Sequence, residues 1–71
     1  MNKFVIVGSI IEIKDTTLKI KSLNEIIEIN LTGNFINHIP ELKLKMTIGI
    51  QGVIKSGNEL YVEKLTYLKS M

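Results

Sequence analysis

Apolar residues alternate with other residues on both sides of a short polar break at Ser56-Gly57-Asn58. The alternation occupies residues 48–55 before the break and 59–63 after it. Two runs of this kind around a break that contains glycine predict a β-hairpin. Gly52 interrupts the first arm, which predicts a bulge or a sharp bend there. The rest of the chain must pack against this hairpin, so we expect a small β-structure.

The composition favours one strand-rich domain, which we assign to residues 1–71. A chain of this length buries only about 60% of the surface that its unfolded form exposes. Cysteine is absent, so neither disulfides nor thiolate metal sites can supplement the core. The hydrophobic content of 45% is dominated by isoleucine, a β-branched residue that favours strands.

Nine basic residues, all lysine, are balanced against seven acidic ones, which gives a net charge of +2. This small excess is a weak indication of a polyanionic partner. The absence of arginine removes the usual bidentate reader of base edges, so sequence-specific recognition of duplex DNA is not expected.

No stretch approaches the roughly 18 apolar residues of a membrane span. The apolar run at residues 4–11 is followed by Glu12 and Lys14, without a small-residue cleavage site. We therefore interpret it as a buried strand and not as a signal peptide. The expectation is a cytoplasmic protein with no membrane partner.

Hydrophobic periodicity predicts five strands, with a helical connection after the third. Pro40 prevents a continuous helix in that connection, so we expect one or two short turns, with Asn34 as the N-cap. The predicted strands cover residues 3–14, 17–22, 25–31, 46–55 and 59–68, and the helical turns lie within 35–45.

This order is that of an OB-fold, so the predicted class is all-β: a five-stranded OB-fold barrel with a short helical connection between strands 3 and 4. Gly8 would allow the long first strand to coil, as barrels require. Two alternatives remain, a five-strand meander with a decorated loop and an SH3-like barrel. The SH3-like barrel would usually place its helical turn between strands four and five.

Three segments resemble the bacterial single-stranded DNA-binding protein family. They are Met1–Gly8, similar to its opening strand; Ile29–Phe35, similar to its third strand and the glycine that opens its helix; and Ile50–Ser56, similar to its fourth strand. The resemblance implies an OB-fold that binds single-stranded DNA. The form is minimal, because the family's long hairpin loops, its base-stacking tryptophans and its acidic C-terminal tail have no counterpart here.

Residues suited to catalysis are sparse. His38 is the single histidine and no cysteine accompanies it, so a metal site or a catalytic triad is not expected. We interpret it as an exposed or capping side chain. Glu25 and Glu28 would point to opposite faces of a strand. We therefore expect a protein that is not an enzyme and needs no cofactor.

A nucleic-acid-binding face is predicted across strands two and three, between the loops that join strands one to two and four to five. Lysines would attract phosphates, and an exposed tyrosine could stack on a base. Glu28 shares this face, and Glu63 neighbours it. The candidate binding residues are Lys14, Lys19, Lys21, Asn30, Lys55 and Tyr61.

Two further aromatic residues are assigned differently. Phe35 is expected to fill the end of the core. For Tyr67, packing and ligand contact are both open.

Surplus apolar residues predict a second surface. Each of the adjacent pairs Ile10-Ile11, Ile26-Ile27 and Val53-Ile54 must turn one member away from the interior. We expect Phe4 and Ile6 to add to an outward patch, which would seek a partner. The first strand is then an oligomer interface, as in the family resembled, or a docking site for a replication enzyme.

The favoured function is a small, non-catalytic protein that binds single-stranded DNA, as an accessory factor in DNA replication or recombination. The alternative is a protein–protein interaction subunit that docks a polymerase, primase or helicase and has little DNA affinity of its own. A third hypothesis is an RNA-binding OB module of translation.

Overall fold

The computed structural model describes residues 2–68, apart from the side chain of Asn58. Met1, the first residue of the segment that resembles the family's opening strand, and residues 69–71 lie outside the described residues. The strands are β1 (Asn2–Lys14), β2 (Thr17–Ser22), β3 (Glu25–Asn30), β4 (Thr47–Lys55) and β5 (Glu59–Tyr67). A 3₁₀ segment, Gly33–Glu41, joins β3 to β4, and a short one, Ser56–Asn58, joins β4 to β5. The predicted all-β class and element order are confirmed.

All strand pairs are antiparallel, and they form one sheet in the order β3-β2-β1-β4-β5. The long strand β1 pairs with β4 from Asn2 to Ser9 and with β2 from Ser9 to Lys14. The edge strands β3 and β5 approach each other, with Cα atoms within 8 Å. The sheet therefore curls, although backbone pairing in the described residues ends at β3 and β5. A closed barrel stays a prediction.

The core lies on the inner face of this curl. Cross-strand partners such as Leu18 and Ile29, or Ile20 and Ile27, share that face. Phe35 and Ile39 of the 3₁₀ segment pack against the core, as predicted for Phe35. The fully buried side chains are Ile10, Leu18, Ile20, Ile29, Leu31, Ile48 and Ile50. Burying one such side chain stabilises the fold by about 1.5–3 kcal/mol.

The outward face of β1 differs from the prediction. Ile6 is buried and Phe4 packs against the core, whereas Val5 is 67% exposed and Val7 is 50% exposed. The cause is the register with β4, because Ile6 pairs with the core residue Ile50 and paired residues share one face of a sheet. The apolar surface of β1 is therefore formed by Val5 and Val7.

In the sequence the apolar alternation continues through Ile11 and Ile13, which predicts that both face inward, but a bulge in β1 turns Ile11 outward. Ile10 pairs with Ile20 and Glu12 with Lys19, so Ile11 is the extra residue, and its side chain is exposed. A bulge reverses the alternation beyond it, which is why Ile13 packs against the core.

In the other two apolar pairs, Ile26-Ile27 and Val53-Ile54, one member turns away from the core, as predicted. Ile26 is exposed while Ile27 packs against the core. Val53 shares the outer face with its cross-strand partners Lys3 and Tyr61, and it is only 4% exposed because it lies between them.

Turn and cap residues follow local geometry. Asp15 and Leu23 lie in the gaps between the first three predicted strands, and each has the positive φ of a turn residue, 54° and 56° respectively. Gly57 has a φ of 81°, a value that favours glycine, in the predicted turn after β4. The N-cap of the longer 3₁₀ segment is Thr32 and not Asn34, because the segment already begins at Gly33.

Gly52 lies at the predicted irregularity. Gln51 pairs with Lys64 but Gly52 with Val62, which makes Glu63 of β5 the extra residue of a bulge. A Cβ atom at Gly52 would lie 1.9 Å from the carbonyl oxygen of Tyr61. No side chain fits there unless the backbone moves.

We expect Gly52→Ala to lower the free energy of unfolding by about 1–3 kcal/mol, the usual cost of overpacking. Urea unfolding followed by circular dichroism measures this change. Gly49→Ala is the matched control, since a Cβ there would meet nothing closer than 3.8 Å. Equal stability of the two variants would contradict the close approach at Gly52.

Candidate nucleic-acid interface

A cleft of about 450 Å³ lies between the two edge strands of the sheet. It exists because the sheet curls far enough for β3 and β5 to approach. Polar side chains and one aromatic ring form its walls. The lining residues are Thr17, Glu28, Asn30 and Thr32 on one side, and Glu59, Leu60 and Tyr61 on the other.

Tyr61 supplies the aromatic wall of the cleft. Its neighbours Leu60 and Val62 pack against the core, so alternation turns Tyr61 outward, as predicted. Tyr61 is 38% exposed, and the ammonium nitrogen of Lys55 lies 4.3 Å from the centroid of its ring. This cation–π contact brings two of the predicted binding residues together.

Asn30 faces Tyr61 across the cleft. It pairs with Thr17 at the end of the β2–β3 ladder. The hydroxyl Oγ1 of Thr16 donates a hydrogen bond of 2.9 Å to Oδ1 of Asn30. The amide oxygen is therefore engaged, and the Nδ2 amino group remains as a donor.

None of the four predicted lysines is among the residues that line the cleft. Lys19 is opposite Glu28 in the β2–β3 pair and forms a 3.7 Å ion pair with Oε2 of Glu12. Both of these side chains are well exposed, so the pair contributes little to stability. Lys21 lies two residues further along β2, and Lys14 ends β1.

Glu28 joins the cleft to the lysine-bearing face of β2. It lines the cleft and is also the cross-strand partner of Lys19. Asn30 and Tyr61 thus both line the cleft, and Lys55 adjoins it. Lys19 lies next to the cleft as the cross-strand partner of Glu28.

The residues that sequence reasoning missed are Glu59, Thr17 and Thr32. Thr17 and Thr32 line the cleft only because β5 lies near β3, and local sequence patterns do not predict that the two strands approach each other. Glu59 had a local signal, since residues 59 and 61 share one face of the second hairpin arm.

A second cluster ties the 3₁₀ segment to β5. The hydroxyl of Tyr67 donates to Oε1 of Glu41 at 3.3 Å, and Nδ1 of His38 lies 2.7 Å from the same hydroxyl oxygen. Since the hydroxyl proton goes to Glu41, the Nδ1–H group of His38 is the donor to Tyr67. His38 also stacks on Phe35, with ring centroids 6.1 Å apart.

This arrangement gives His38 and Tyr67 packing roles. His38 is half-buried and anchors the segment to the sheet, in place of the exposed or capping role predicted. Burial raises the pKa of Tyr67, and so do the negative charge of Glu41 and its hydrogen bond. Within residues 2–68, no three His, Cys, Asp or Glu side chains lie close enough to hold a metal ion.

Apolar side chains cluster on the outer face of β1 and β4. Val7 pairs with Gly49, and a Cβ at Gly49 would lie 3.8 Å from Val7 and 3.9 Å from Leu68. Val5 extends the same face along β1. We call Val5, Val7, Gly49 and Leu68 the outer apolar patch.

Comparison of the sequence with protein-family models and with curated proteins found no match. The resemblance to the single-stranded DNA-binding protein family stays a prediction that rests on its three short segments. In the part of the chain that the structure describes, no helix has the length and apolar character needed to cross a membrane.

The tyrosine cluster gives a spectroscopic prediction. The chain has two tyrosines, so Tyr61→Phe leaves Tyr67 as the single phenol. We expect its alkaline titration, followed by phenolate absorbance, to have a midpoint above the ordinary value of about 10. Adding Glu41→Gln should lower the midpoint, because it removes the carboxylate charge. An unshifted midpoint in the single variant would contradict the cluster.

The raised pKa of Tyr67 also determines how the stability of the fold changes with pH. A pKa that is raised in the folded state contributes stability below the unfolded pKa, and this contribution is lost as pH rises through the folded pKa. The contribution of Tyr67 to stability should therefore be lost under alkaline conditions.

Proposed function

We propose that the chain is a small OB-type barrel that binds single-stranded DNA without catalysis, as an accessory factor in DNA replication or recombination. The observation that carries this proposal is the cleft between β3 and β5. It combines the exposed ring of Tyr61, the adjacent ammonium of Lys55 and the amide of Asn30.

Two features of the sheet support the OB assignment. The 3₁₀ segment falls between the third and fourth strands, which is the OB order. The long β1 is shared between β2 and β4, and the edges β3 and β5 come near each other. A barrel that closes at β3 and β5 is the simplest continuation of that curl.

Binding would combine stacking with phosphate attraction. A base stacked on an aromatic ring contributes about 1–3 kcal/mol. Lysine ammonium groups add a salt-sensitive attraction to phosphates. Lys55 can meet a phosphate next to a base on Tyr61, and Lys19 and Lys21 extend the path along β2.

The charges nearby moderate this attraction. The four lysines of the interface, Lys14, Lys19, Lys21 and Lys55, are accompanied by three glutamates, Glu12, Glu28 and Glu59. Attraction to a phosphate chain is therefore modest. We expect stacking to supply a large share of the affinity and the salt dependence to be shallow.

A second candidate function is protein docking, and the outer apolar patch favours it. Val5 and Val7 are the most exposed apolar residues of β1. Contiguous exposed apolar surface marks interaction sites in many proteins. In this alternative the chain docks a replication enzyme such as a polymerase, primase or helicase, or a second copy of itself.

The DNA-binding proposal predicts salt-sensitive binding to labelled oligothymidine, measured by fluorescence anisotropy. Lys19→Glu with Lys21→Glu should weaken binding most at low salt, because it reverses two charges on the phosphate path. Tyr61→Ala should weaken it roughly tenfold at both low and high salt, because it removes the stacking ring.

Lys64→Glu with Lys43→Glu is the matched control, since it makes the same charge change at exposed residues outside the interface. An equal loss in the control pair and the test pair would contradict a defined binding face. No binding by the wild-type chain at micromolar concentration and low salt would refute the proposal.

The docking alternative predicts self-association or a stable partner through the outer apolar patch. If copies pair through it, light scattering should give a mass above the 8.0 kDa of one chain, and Val5→Asp with Val7→Asp should restore that mass. Leu23→Asp is the control, since Leu23 is 91% exposed at a turn outside the patch. An identical mass for wild type and the Val5/Val7 variant would exclude self-association at this face.

A further inference from the structure

We infer that the cleft prefers guanine at the nucleotide that stacks on Tyr61. This inference rests on the proposed function and adds a base preference to it. The preference follows from the hydrogen-bonding groups around the Tyr61 ring, because their donors and acceptors match one base better than the other three.

The cleft walls are rich in acceptors. Glu59 lies two residues before Tyr61 on the same face of β5, and Glu28 lies across the cleft on β3. Both carboxylates are exposed and, when ionised, accept hydrogen bonds but cannot donate them.

The amide of Asn30 is the fixed donor in the cleft. Its oxygen already accepts the hydroxyl of Thr16, so its Nδ2 group has protons to offer. The hydroxyls of Thr17 and Thr32 can rotate to either role. The set therefore offers carboxylate acceptors next to an amide donor.

Guanine matches this set best among the four bases. Single-stranded bases are read on their Watson–Crick edges. That edge of guanine carries two adjacent donors, N1–H and the 2-amino group, beside the O6 acceptor. A carboxylate can accept from both donors in a bidentate pair, and the amide of Asn30 can donate to O6.

The other bases fit less well for defined reasons. Thymine presents one N3–H donor between two carbonyl oxygens, which a carboxylate repels. Cytosine and adenine each present one amino donor beside a ring-nitrogen acceptor. None of the three can make two parallel hydrogen bonds to one carboxylate.

Stacking on Tyr61 would bring the hydrogen-bonding edge of the base close to the polar groups of the cleft. A base that lies parallel to the Tyr61 ring directs its edges towards the cleft walls, because hydrogen-bonding groups lie in the plane of the base. Lys55 occupies a position over the ring, so the base takes the open side or displaces the ammonium towards a phosphate.

The test uses oligothymidine with a single central replacement, which avoids the association of guanine-rich strands. We expect the oligonucleotide with one guanine to bind the full chain roughly fivefold more tightly than oligothymidine, the low end for a bidentate base contact. A hypoxanthine replacement, which lacks only the 2-amino group, should lose most of that gain.

Two variants connect the preference to the carboxylates. Glu28→Gln and Glu59→Gln should each tighten binding to oligothymidine, because a negative charge is removed. At least one of the two variants, the one that removes the carboxylate bound to guanine, should also abolish the guanine preference. Glu63→Gln is the matched control, since Glu63 is exposed on β5 outside the cleft lining. It should keep the preference.

The outcomes separate this inference from the proposed function. Equal affinity for the thymine, guanine and hypoxanthine strands would overturn the guanine preference and leave single-strand binding intact. A preference that persists in both cleft variants would overturn the role of the carboxylates and with it the inference. Failure to bind any of the strands at low salt would overturn the proposed function and the inference together.

Discussion

The pairing of β1 with two different partners is the constraint on which the rest of the structure depends. Its first part is bonded to β4 and its last part to β2, with Ser9 in both ladders. β2 and β4 lie along opposite edges of β1, so the two ladders overlap only at Ser9. Gly8 lies beside this overlap, where the backbone of β2 comes close, because a Cβ at that position would lie 2.3 Å from the carbonyl oxygen of Lys21. The bulge at Ile11 then restores an inward direction to Ile13.

The candidate site is a consequence of the curl of the sheet. Curling brings β3 and β5, the first and last strands of the sheet order, to opposite sides of one cleft. Each strand alone is an ordinary amphipathic segment, with its apolar side chains in the core. The outward side chains acquire a common function only when Asn30 and Glu28 are placed opposite Tyr61 and Glu59. The proposed chemistry therefore depends on the curl more than on any single residue.

Much of the fold could be predicted from local pattern, and the site could be predicted only in part. Leu18, Ile20 and Ile29 alternate with polar residues in the sequence, which predicts that they face the core, and the isolated Gly52 identified the bulge. The exposure of Val5 in place of Ile6 could not be predicted, because both faces of β1 are apolar and only the register with β4 distinguishes them. Tyr61 and Asn30 were identified as candidates from their outward positions, but their shared cleft and the role of Glu59 depend on contacts distant in sequence.

The sequence by itself determined the element order, the turns and most of the inward-facing residues. These features arise from interactions between near neighbours, such as side-chain alternation and the φ preference of Gly57. Only the tertiary structure decided which face of β1 is exposed, where the extra residues Ile11 and Glu63 lie, and which side chains line the cleft. Each of these depends on register between strands that are far apart in the chain, and register is set by the packing of the whole core.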